Sequence, residues 1–266
     1  MALVDIAISG NVGEIIFNRP EKLNALSLAV LEEFDGALST MADDPSVSCV
    51  LLWGRGRAFS VGFDLAEGDG SEDIYSDWVR LSRKTERWLR VWDFPKPIVA
   101  SIQGYCIAGA FFLACCTDVI VVAEDLKLGW ARVPIGAAWL TAAASYGIGM
   151  RKVMELSSVR GSYLSGREAV GLGWANYALP AENVLEKARE LAAGMARTPL
   201  DLLLLNKWSA HRFLERQGFR DAITAGVELD NIGHFAPSAQ RIKQMIREEG
   251  LARAIGWFDS GGRADP

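Results

Sequence analysis

The sequence has few of the residues that most often carry catalysis or bind metals. Only two histidines, His211 and His234, occur in 266 residues, and both lie in a charge-rich helical region near the C-terminus. We expect surface or packing roles for both, so a Ser-His-Asp or Cys-His mechanism is not predicted. The four cysteines lie in apolar strand or helix contexts, without His or Cys partners at metal-ligand spacing. The sequence therefore predicts reduced core cysteines and no metal site.

The chain also lacks an excess of positive charge and a long apolar run. Its formal net charge is −5, and its Lys and Arg residues are scattered rather than bunched into a stripe, which argues against a nucleic-acid partner. No apolar run reaches membrane-spanning length. The start, MALVDIAISG, alternates like a strand and does not resemble a signal peptide. We expect a globular cytoplasmic protein with no membrane partner.

Strand and helix patterns alternate through the first two thirds of the chain, which predicts an α/β fold with strands buried on both faces. The predicted strands are 4–8, 14–17, 47–53, 98–103, 119–123 and 126–128, and the predicted helices begin after Ser27, near position 72 and at Gly109. From about Glu182 helix follows helix. We therefore predict a core at 1–196, which carries the ligand site, and a helical region at 197–266 that makes subunit contacts.

Two glycine-containing segments stand out: GRGRAFSVGFDL at 54–65 and IQGYCIAGAFFLACCTD at 102–118. Gly109 opens a predicted helix, where backbone N–H groups without intrahelical partners can hold an oxygen that becomes negative. The order of strand, glycine loop, long helix, PKPIVA strand, glycine turn and helix resembles the crotonase superfamily, the enoyl-CoA hydratase and isomerase relatives. The resemblance extends from NRPEKLNALS at 18–27 to LSGREAVGLGWANYALP at 164–180.

The resemblance implies a spiral of ββα turns that binds coenzyme A thioesters, with C-terminal helices used in homotrimers or dimers of trimers. It places the two backbone donors of an oxyanion hole at Phe63 and Gly109. The acyl-CoA thioester would be the substrate or ligand, and no further cofactor is expected. The positions implied for binding the CoA and acyl parts are Arg19, Lys22, Ala25, Asp64, Leu65, Trp130 and Trp139.

The sequence departs from the hydratase pattern at both acid/base positions. Where hydratases have two glutamates, this chain has Phe112 and Arg132, and no Asp or Glu occurs between Asp125 and Glu155. Phenylalanine has no proton to exchange and arginine stays protonated. The related dehalogenase branch is not matched either, because its nucleophilic aspartate falls near Ala138. We expect ordinary crotonyl-CoA hydration to be weak or absent.

Two hypotheses remain open. In the first, the chain is an enzyme of the lyase or isomerase type that uses the oxyanion hole with an unusual proton donor, either Tyr146 or a carboxylate from the helix at 72–92. Decarboxylation suits it best, because loss of CO₂ generates the enolate without a base. In the second, it is a non-catalytic acyl-CoA-binding protein in which Phe112 and Trp139 line an apolar acyl pocket.

Overall fold

The computed structural model describes residues 2–65, 73–136, 138–159 and 161–262. Within them the strands are β1 (Val4–Ser9), β2 (Val12–Phe17), β3 (Cys49–Gly54), β4 (Ile98–Ile102), β5 (Tyr105–Ile107), β6 (Val119–Ala123), β7 (Lys127–Gly129) and β8 (Tyr177–Leu179). The helices are α1 (Leu28–Asp43), α2 (Ile74–Trp92), α3 (Gly109–Cys115), α4 (Thr141–Ile148), α5 (Met150–Ser158), α6 (Gly166–Gly171), α7 (Ala181–Met195), α8 (Leu200–Arg216), α9 (Phe219–Phe235), α10 (Pro237–Glu249) and α11 (Leu251–Asp259).

The main sheet has the strand order β1-β2-β3-β4-β6-β8. The strands predicted at 4–8 and 14–17 form β1 and β2, an antiparallel hairpin with Val4 opposite Phe17, and every later pair in this sheet is parallel. A second, two-stranded sheet joins β5 to β7 in parallel. The prediction of an α/β fold is confirmed.

Helices cover both faces of the main sheet. On one face, Val50, Ile98 and Val122 belong to the large core that also contains side chains of α1, α2 and α3. On the other face, Val99 and Val121 pack with side chains of α7. Because neighbouring residues of one strand point to opposite faces, these parallel strands are apolar on both sides.

Three short strands differ from the sequence-based prediction. β5 and β8 were not predicted, and β7 begins one residue later than expected. The predicted strand 98–103 ends early because Gly104 turns the chain with φ 66°. A Cβ at Gly104 would lie 1.9 Å from the Arg57 carbonyl oxygen, so the turn requires glycine.

The chain is helical from Ala181 onward through the described residues, as predicted. α9 lies along α2, and α10 and α11 form a small apolar cluster with Val133. Among the described residues no helix is both long and apolar enough to cross a membrane. The same part of the chain contains no group of three or more His, Cys, Asp or Glu side chains placed to hold a metal ion.

Candidate functional site

Two glycine turns that are far apart in sequence lie against each other. Gly62 has φ 84°. A Cβ added to it would lie 2.7 Å from the Ile107 carbonyl oxygen and 3.2 Å from the Gly109 nitrogen. Since real Cβ atoms do not tolerate such a contact with backbone, glycine is what allows the two turns to meet.

The segment after Gly62 is held like a strand against Leu26. The Leu26 N–H donates to the Gly62 carbonyl oxygen at 2.8 Å, and the Asp64 N–H donates to the Leu26 carbonyl oxygen at 3.2 Å. Phe63 lies between these two hydrogen bonds. Because successive residues of an extended chain point their backbone groups to alternate sides, the Phe63 N–H points away from Leu26.

The second turn fixes the Gly109 N–H. Ala108 has φ 51° and ψ −114°, a conformation that costs an alanine about 1–3 kcal/mol. Its N–H donates to the Gly129 carbonyl oxygen at 2.9 Å, which holds the strained residue in place. Helix α3, which follows, has only seven residues. Among the described residues, neither the Gly109 N–H nor the Phe63 N–H has a hydrogen-bond acceptor.

Phe63 lies beside Gly109 and belongs to a group of four aromatic side chains in contact with one another, which we call the aromatic wall: Phe63, Trp88, Phe112 and Trp139. A Cβ on Gly109 would lie 2.7 Å from Cε2 of Phe63, so this ring covers the glycine. The Phe63 ring is stacked with Trp88 at 6.1 Å and tilted against Trp139 at 5.4 Å, and Trp139 meets Phe112 edge-on at 4.8 Å. The surface next to the two turns is therefore strongly apolar.

The two residues that the resemblance places at the acid/base positions, Phe112 and Arg132, make other contacts here. Phe112 is completely buried. Arg132 is paired with Asp259 of α11, although its side chain is 44% exposed. Trp130, which was predicted to bind the ligand, packs edge-on against Phe111 at 5.6 Å. Position 112 is thus part of the core, and the Arg132 charge is directed to the C-terminal helices.

The other predicted binding residues surround the first turn. Arg19 forms an ion pair with Asp64, with Nη1 and Oδ2 2.6 Å apart, and also donates to the Ala25 carbonyl oxygen at 3.3 Å. Asp64 therefore braces its own loop. Lys22 is exposed at the end of a short 3₁₀ turn, and Leu65 is half-buried directly after Asp64.

Tyr146, one of the predicted proton donors, does not face the glycine turns. Its hydroxyl donates to the Gln217 carbonyl oxygen at 2.9 Å, and its ring lines a separate cavity of about 430 Å³ beside α8. Asp118 in that cavity binds Lys207 Nζ at 2.9 Å and His211 Nε2 at 3.1 Å. No residue of the aromatic wall lines this cavity.

A buried polar cluster on α2 and α9 was not predicted. Asp77 accepts hydrogen bonds from Asn231 at 2.9 Å and from Arg80, and lies 2.8 Å from His234 Nδ1. Burial alone would raise the pKa of Asp77, but the hydrogen bonds from His234, Arg80 and Asn231 hold it well below its usual value. The expected surface or packing role of His234 is thus refined to a buried partner of Asp77. A cluster joining residues 157 positions apart leaves no local sequence signal.

The two turns together form a small electrophilic site. Two N–H groups that have no acceptor in the described part of the chain, on backbone that is fixed by hydrogen bonds and close packing, can stabilise an oxygen that becomes negative. The side chains at positions 112 and 132 cannot relay protons. The arrangement therefore suits the stabilisation of an oxyanion better than general acid–base catalysis.

Comparison with known proteins identifies the family. The family model for enoyl-CoA hydratase/isomerase matches residues 7–246. A relative from Thermus thermophilus is 35% identical over 205 residues, covering 74% of this chain and 79% of its own. One from Bacillus subtilis is 32% identical over 219 residues, covering 78% and 84%. The words enoyl-CoA hydratase occur in both names.

Solved structures described by the same family name are also similar over nearly the whole chain. One from Novosphingobium aromaticivorans has a TM-score of 0.91 at 33% identity, covering 96% of this chain and 94% of its own. One from Xanthobacter autotrophicus has a TM-score of 0.91 at 27% identity, covering 97% and 98%. The predicted crotonase fold with a C-terminal helical region is confirmed. This chain belongs to the enoyl-CoA hydratase/isomerase family of the crotonase superfamily.

Proposed function

We propose that the chain binds acyl-CoA thioesters and holds the thioester carbonyl oxygen between the N–H groups of Phe63 and Gly109. The observation that carries the proposal is the contact between the two glycine turns, where a Cβ on Gly62 would lie 3.2 Å from the Gly109 nitrogen. The N–H groups of Phe63 and Gly109 lie at this contact, and neither has an acceptor within the ranges that the structure describes. Membership of the family supports a thioester ligand.

The coenzyme A part would lie along the first turn and the segment that precedes α1. Arg19 already pairs with Asp64, so the exposed Lys22 is the better placed of the two cations to bind a phosphate. Ala25, Leu65 and Trp130 complete the proposed CoA and acyl contacts. The thioester itself is the ligand, and the proposal requires no further cofactor.

Ordinary hydratase activity is expected to be weak or absent. Hydration needs one group to deprotonate water and another to supply the α-proton, and each such group typically contributes about 10²- to 10⁴-fold to the rate. Phe112 and Arg132 supply neither. Decarboxylation of an acyl group with an α-carboxylate needs no base. The bond from the α-carbon to the carboxylate breaks, CO₂ leaves, the electron pair passes to the thioester oxygen, and the α-carbon then takes a proton from solvent.

The alternative is a non-catalytic acyl-CoA-binding protein. The complete burial of Phe112 under Trp139 favours it, because that side chain fills the place of an acid/base group with core packing. In this case the aromatic wall would hold the acyl chain, and the oxyanion hole would bind the thioester oxygen without promoting a reaction.

The helical region 197–266 is the proposed subunit interface of a homotrimer or a dimer of trimers. In α8 the buried side chain is Lys207, whereas several large apolar side chains of α8 are exposed: Leu202, Leu205, Trp208 and Phe213. Apolar side chains on one helix that its own chain leaves uncovered are typical of a contact with another copy.

Calorimetric titration with butyryl-CoA and crotonyl-CoA tests the proposal, followed by a hydration assay on crotonyl-CoA. We expect binding of both thioesters and no appreciable loss of the enoyl-thioester absorbance. In Gly109→Ala the new Cβ would lie 2.7 Å from Phe63 Cε2 and displace the ring. The displaced ring would shift the Phe63 backbone, and a misplaced hydrogen-bond donor costs about 0.5–1.5 kcal/mol, so we expect this variant to bind about tenfold more weakly.

Gly36→Ala is the matched control, because a Cβ at Gly36 in α1 has no atom within 4 Å. It should bind as the unchanged protein does. Absence of binding to every thioester would exclude the coenzyme A assignment. Hydration at the rate of an ordinary hydratase would contradict the interpretation of positions 112 and 132.

A further inference from the structure

The cavity between α8 and the core has no role in the function proposed above. Its volume of about 430 Å³ lies within the range of about 300–1,000 Å³ that is typical of small-molecule sites. Asn206 and Ala210 of α8 line it and are exposed, so the cavity is open to solvent on that side. It is therefore a ligand-sized space that solvent can reach, apart from the two glycine turns.

Most of the cavity wall is apolar. Its larger apolar side chains come from α2, β6, α7, α8 and the segment before β8: Trp92, Ile120, Trp174, Met195, Leu203 and Leu214. An apolar group that enters the cavity removes this surface from water, which is favourable in proportion to the area buried. The wall therefore favours a ligand with an apolar body.

One part of the wall carries charged side chains. The Lys207 ammonium group, on a side chain that is nearly fully buried, donates to Asp118 Oδ2 at 2.9 Å and to the Lys96 carbonyl oxygen at 3.2 Å. An ammonium group has three N–H donors, so one is left without an acceptor in the part of the chain that the structure describes. His211 Nε2 lies 3.1 Å from Asp118 Oδ1, and its ring is stacked on Trp92 at 3.6 Å. Within the same ranges its Nδ1 contacts no polar group.

The charges of this group balance in a way that depends on protonation. The Asp118 carboxylate and the Lys207 ammonium group cancel each other, so a second carboxylate would be a buried charge without a counterion. Histidine is the side chain that ordinarily changes its charge near neutral pH. With His211 protonated, two cations would face two carboxylates. A carboxylate ligand and a proton on His211 therefore favour each other.

The neighbouring ionisable groups leave this balance in place. Arg220 Nη2 lies 2.8 Å from Asp93 and 2.9 Å from Glu215, so these three groups are paired among themselves. The Tyr146 hydroxyl donates to a backbone carbonyl oxygen. Burial raises the pKa of the Cys115 thiol to about 12, so it stays neutral. The imidazole of α8 is thus the group at the cavity wall that can take up a proton near neutral pH.

We propose that the cavity beside α8 is a second binding site, for a carboxylic acid with an apolar body, whose carboxylate contacts Lys207 and protonated His211. The inference does not depend on the proposed thioester site. At about 100° per residue, Leu203, Lys207 and Ala210 project from the side of α8 opposite to its exposed apolar residues. An assembly formed through those exposed residues would leave the cavity lining uncovered.

Calorimetric titration with octanoate and octan-1-ol tests the proposal, because the two compounds have eight carbons each and differ in the polar group. We expect octanoate to bind about tenfold more tightly at pH 6 than at pH 8, since less of the unbound protein carries the proton on His211 at the higher pH. The affinity for octan-1-ol should be the same at both pH values. At pH 6 octanoate should bind about tenfold more tightly than octan-1-ol, the gain typical of one charge-assisted contact.

Three variants assign the site. His211→Phe keeps a ring on Trp92 but cannot take up a proton, so its octanoate affinity should not change with pH. Ala210→Trp puts a large side chain at the open side of the cavity and should weaken the binding of both compounds about tenfold or more. Ala252→Trp is the matched control, because it makes the same exchange at an exposed position of α11, and it should change neither affinity.

Failure of octanoate to bind at pH 6, or binding no tighter than that of octan-1-ol, would overturn the proposal. Unchanged octanoate binding in Ala210→Trp would place the acid elsewhere on the protein and would overturn it too. A pH dependence that persists in His211→Phe would contradict the role of His211. Thermal unfolding verifies that each variant is folded, and His211→Gln replaces His211→Phe if the latter does not fold.

Discussion

Phe112 illustrates how one residue can determine which chemistry a site supports. It is completely buried and lies edge-on to Trp139, which in turn contacts Phe63. A carboxylate at position 112 would have to displace this packing before it could reach a ligand. A glutamate at this position would therefore require the surrounding core to repack, in addition to the exchange of one side chain.

Phe112→Glu should consequently destabilise the fold without restoring hydration. Burial of an unpaired carboxylate, added to the loss of the ring contact with Trp139, should lower the free energy of unfolding by about 3 kcal/mol or more. Chemical denaturation measures this change. Phe112→Leu, which keeps the site apolar, should cost about 1 kcal/mol. A stable Phe112→Glu variant that hydrates crotonyl-CoA would contradict this account.

At the scale of elements, the buried cluster around Asp77 fastens α9 to α2. Asp77 is 1% exposed, and its partners come from both helices: Arg80 on α2, and Asn231 and His234 on α9. Gly136 allows the loop after β7 to approach the same cluster, since a Cβ there would lie 2.8 Å from His234 Nε2. The cluster therefore fixes the place where the C-terminal helices meet the core.

The lowered pKa of Asp77 predicts a pH dependence with a definite sign. A carboxyl group whose pKa is lower in the folded state stabilises the fold when the pH is above its ordinary pKa of 3.8, and this stabilisation is lost as the pH falls. We expect the free energy of unfolding to fall below about pH 5, and to fall less in Asp77→Asn. At neutral pH, Asp77→Asn should be less stable by about 3 kcal/mol.

Urea unfolding at several pH values measures both effects. Asp35→Asn is the control, because Asp35 is 25% exposed and pairs with Arg87 near the surface. It should cost less than about 1 kcal/mol. If the two variants lose the same stability, or if the acid sensitivity of Asp77→Asn matches that of the unchanged protein, the Asp77 cluster does not contribute to the free energy of unfolding as proposed.

The elements with regular patterns could be predicted from the sequence. Alternating residues and the Gly10–Asn11 turn predict the hairpin, and Ser27 caps α1 as expected, with its side chain accepting from the Val30 N–H. Strands of three residues, such as β5 and β8, are too short to show a period.

In the candidate site, too, some features could be predicted from the sequence and others could not. Gly62 and Gly109 carry a sequence signal because turns and close contacts require glycine. The positive φ of Ala108 has no such signal, since alanine rarely adopts that conformation. The pair Asp77–His234 depends on how whole elements pack, and no local pattern specifies it.

At the scale of the whole molecule, the exposed apolar side of α8 is the proposed contact surface between copies of the chain. With about 100° per residue, the exposed Leu202, Leu205, Trp208 and Phe213 project within about 140° of arc, so they form one apolar strip along the helix. α8 is attached to its own chain by the contacts of Lys207 and His211 with Asp118, and the His211 ring is stacked on Trp92 at 3.6 Å. Another copy of the chain would cover the strip and leave these contacts in place.

Trp208→Glu should therefore dissociate the proposed assembly, because it puts a charge at the middle of the strip, where it would have to be buried at the interface. In sedimentation velocity we expect the unchanged protein at three or six times the 29.0 kDa chain mass, and the variant mainly as the single chain. Ile6→Glu, on the edge strand β1, replaces another exposed apolar residue and should leave the assembly intact. A single-chain mass for the unchanged protein would exclude the trimer, and dissociation by both variants would remove α8 as its specific interface.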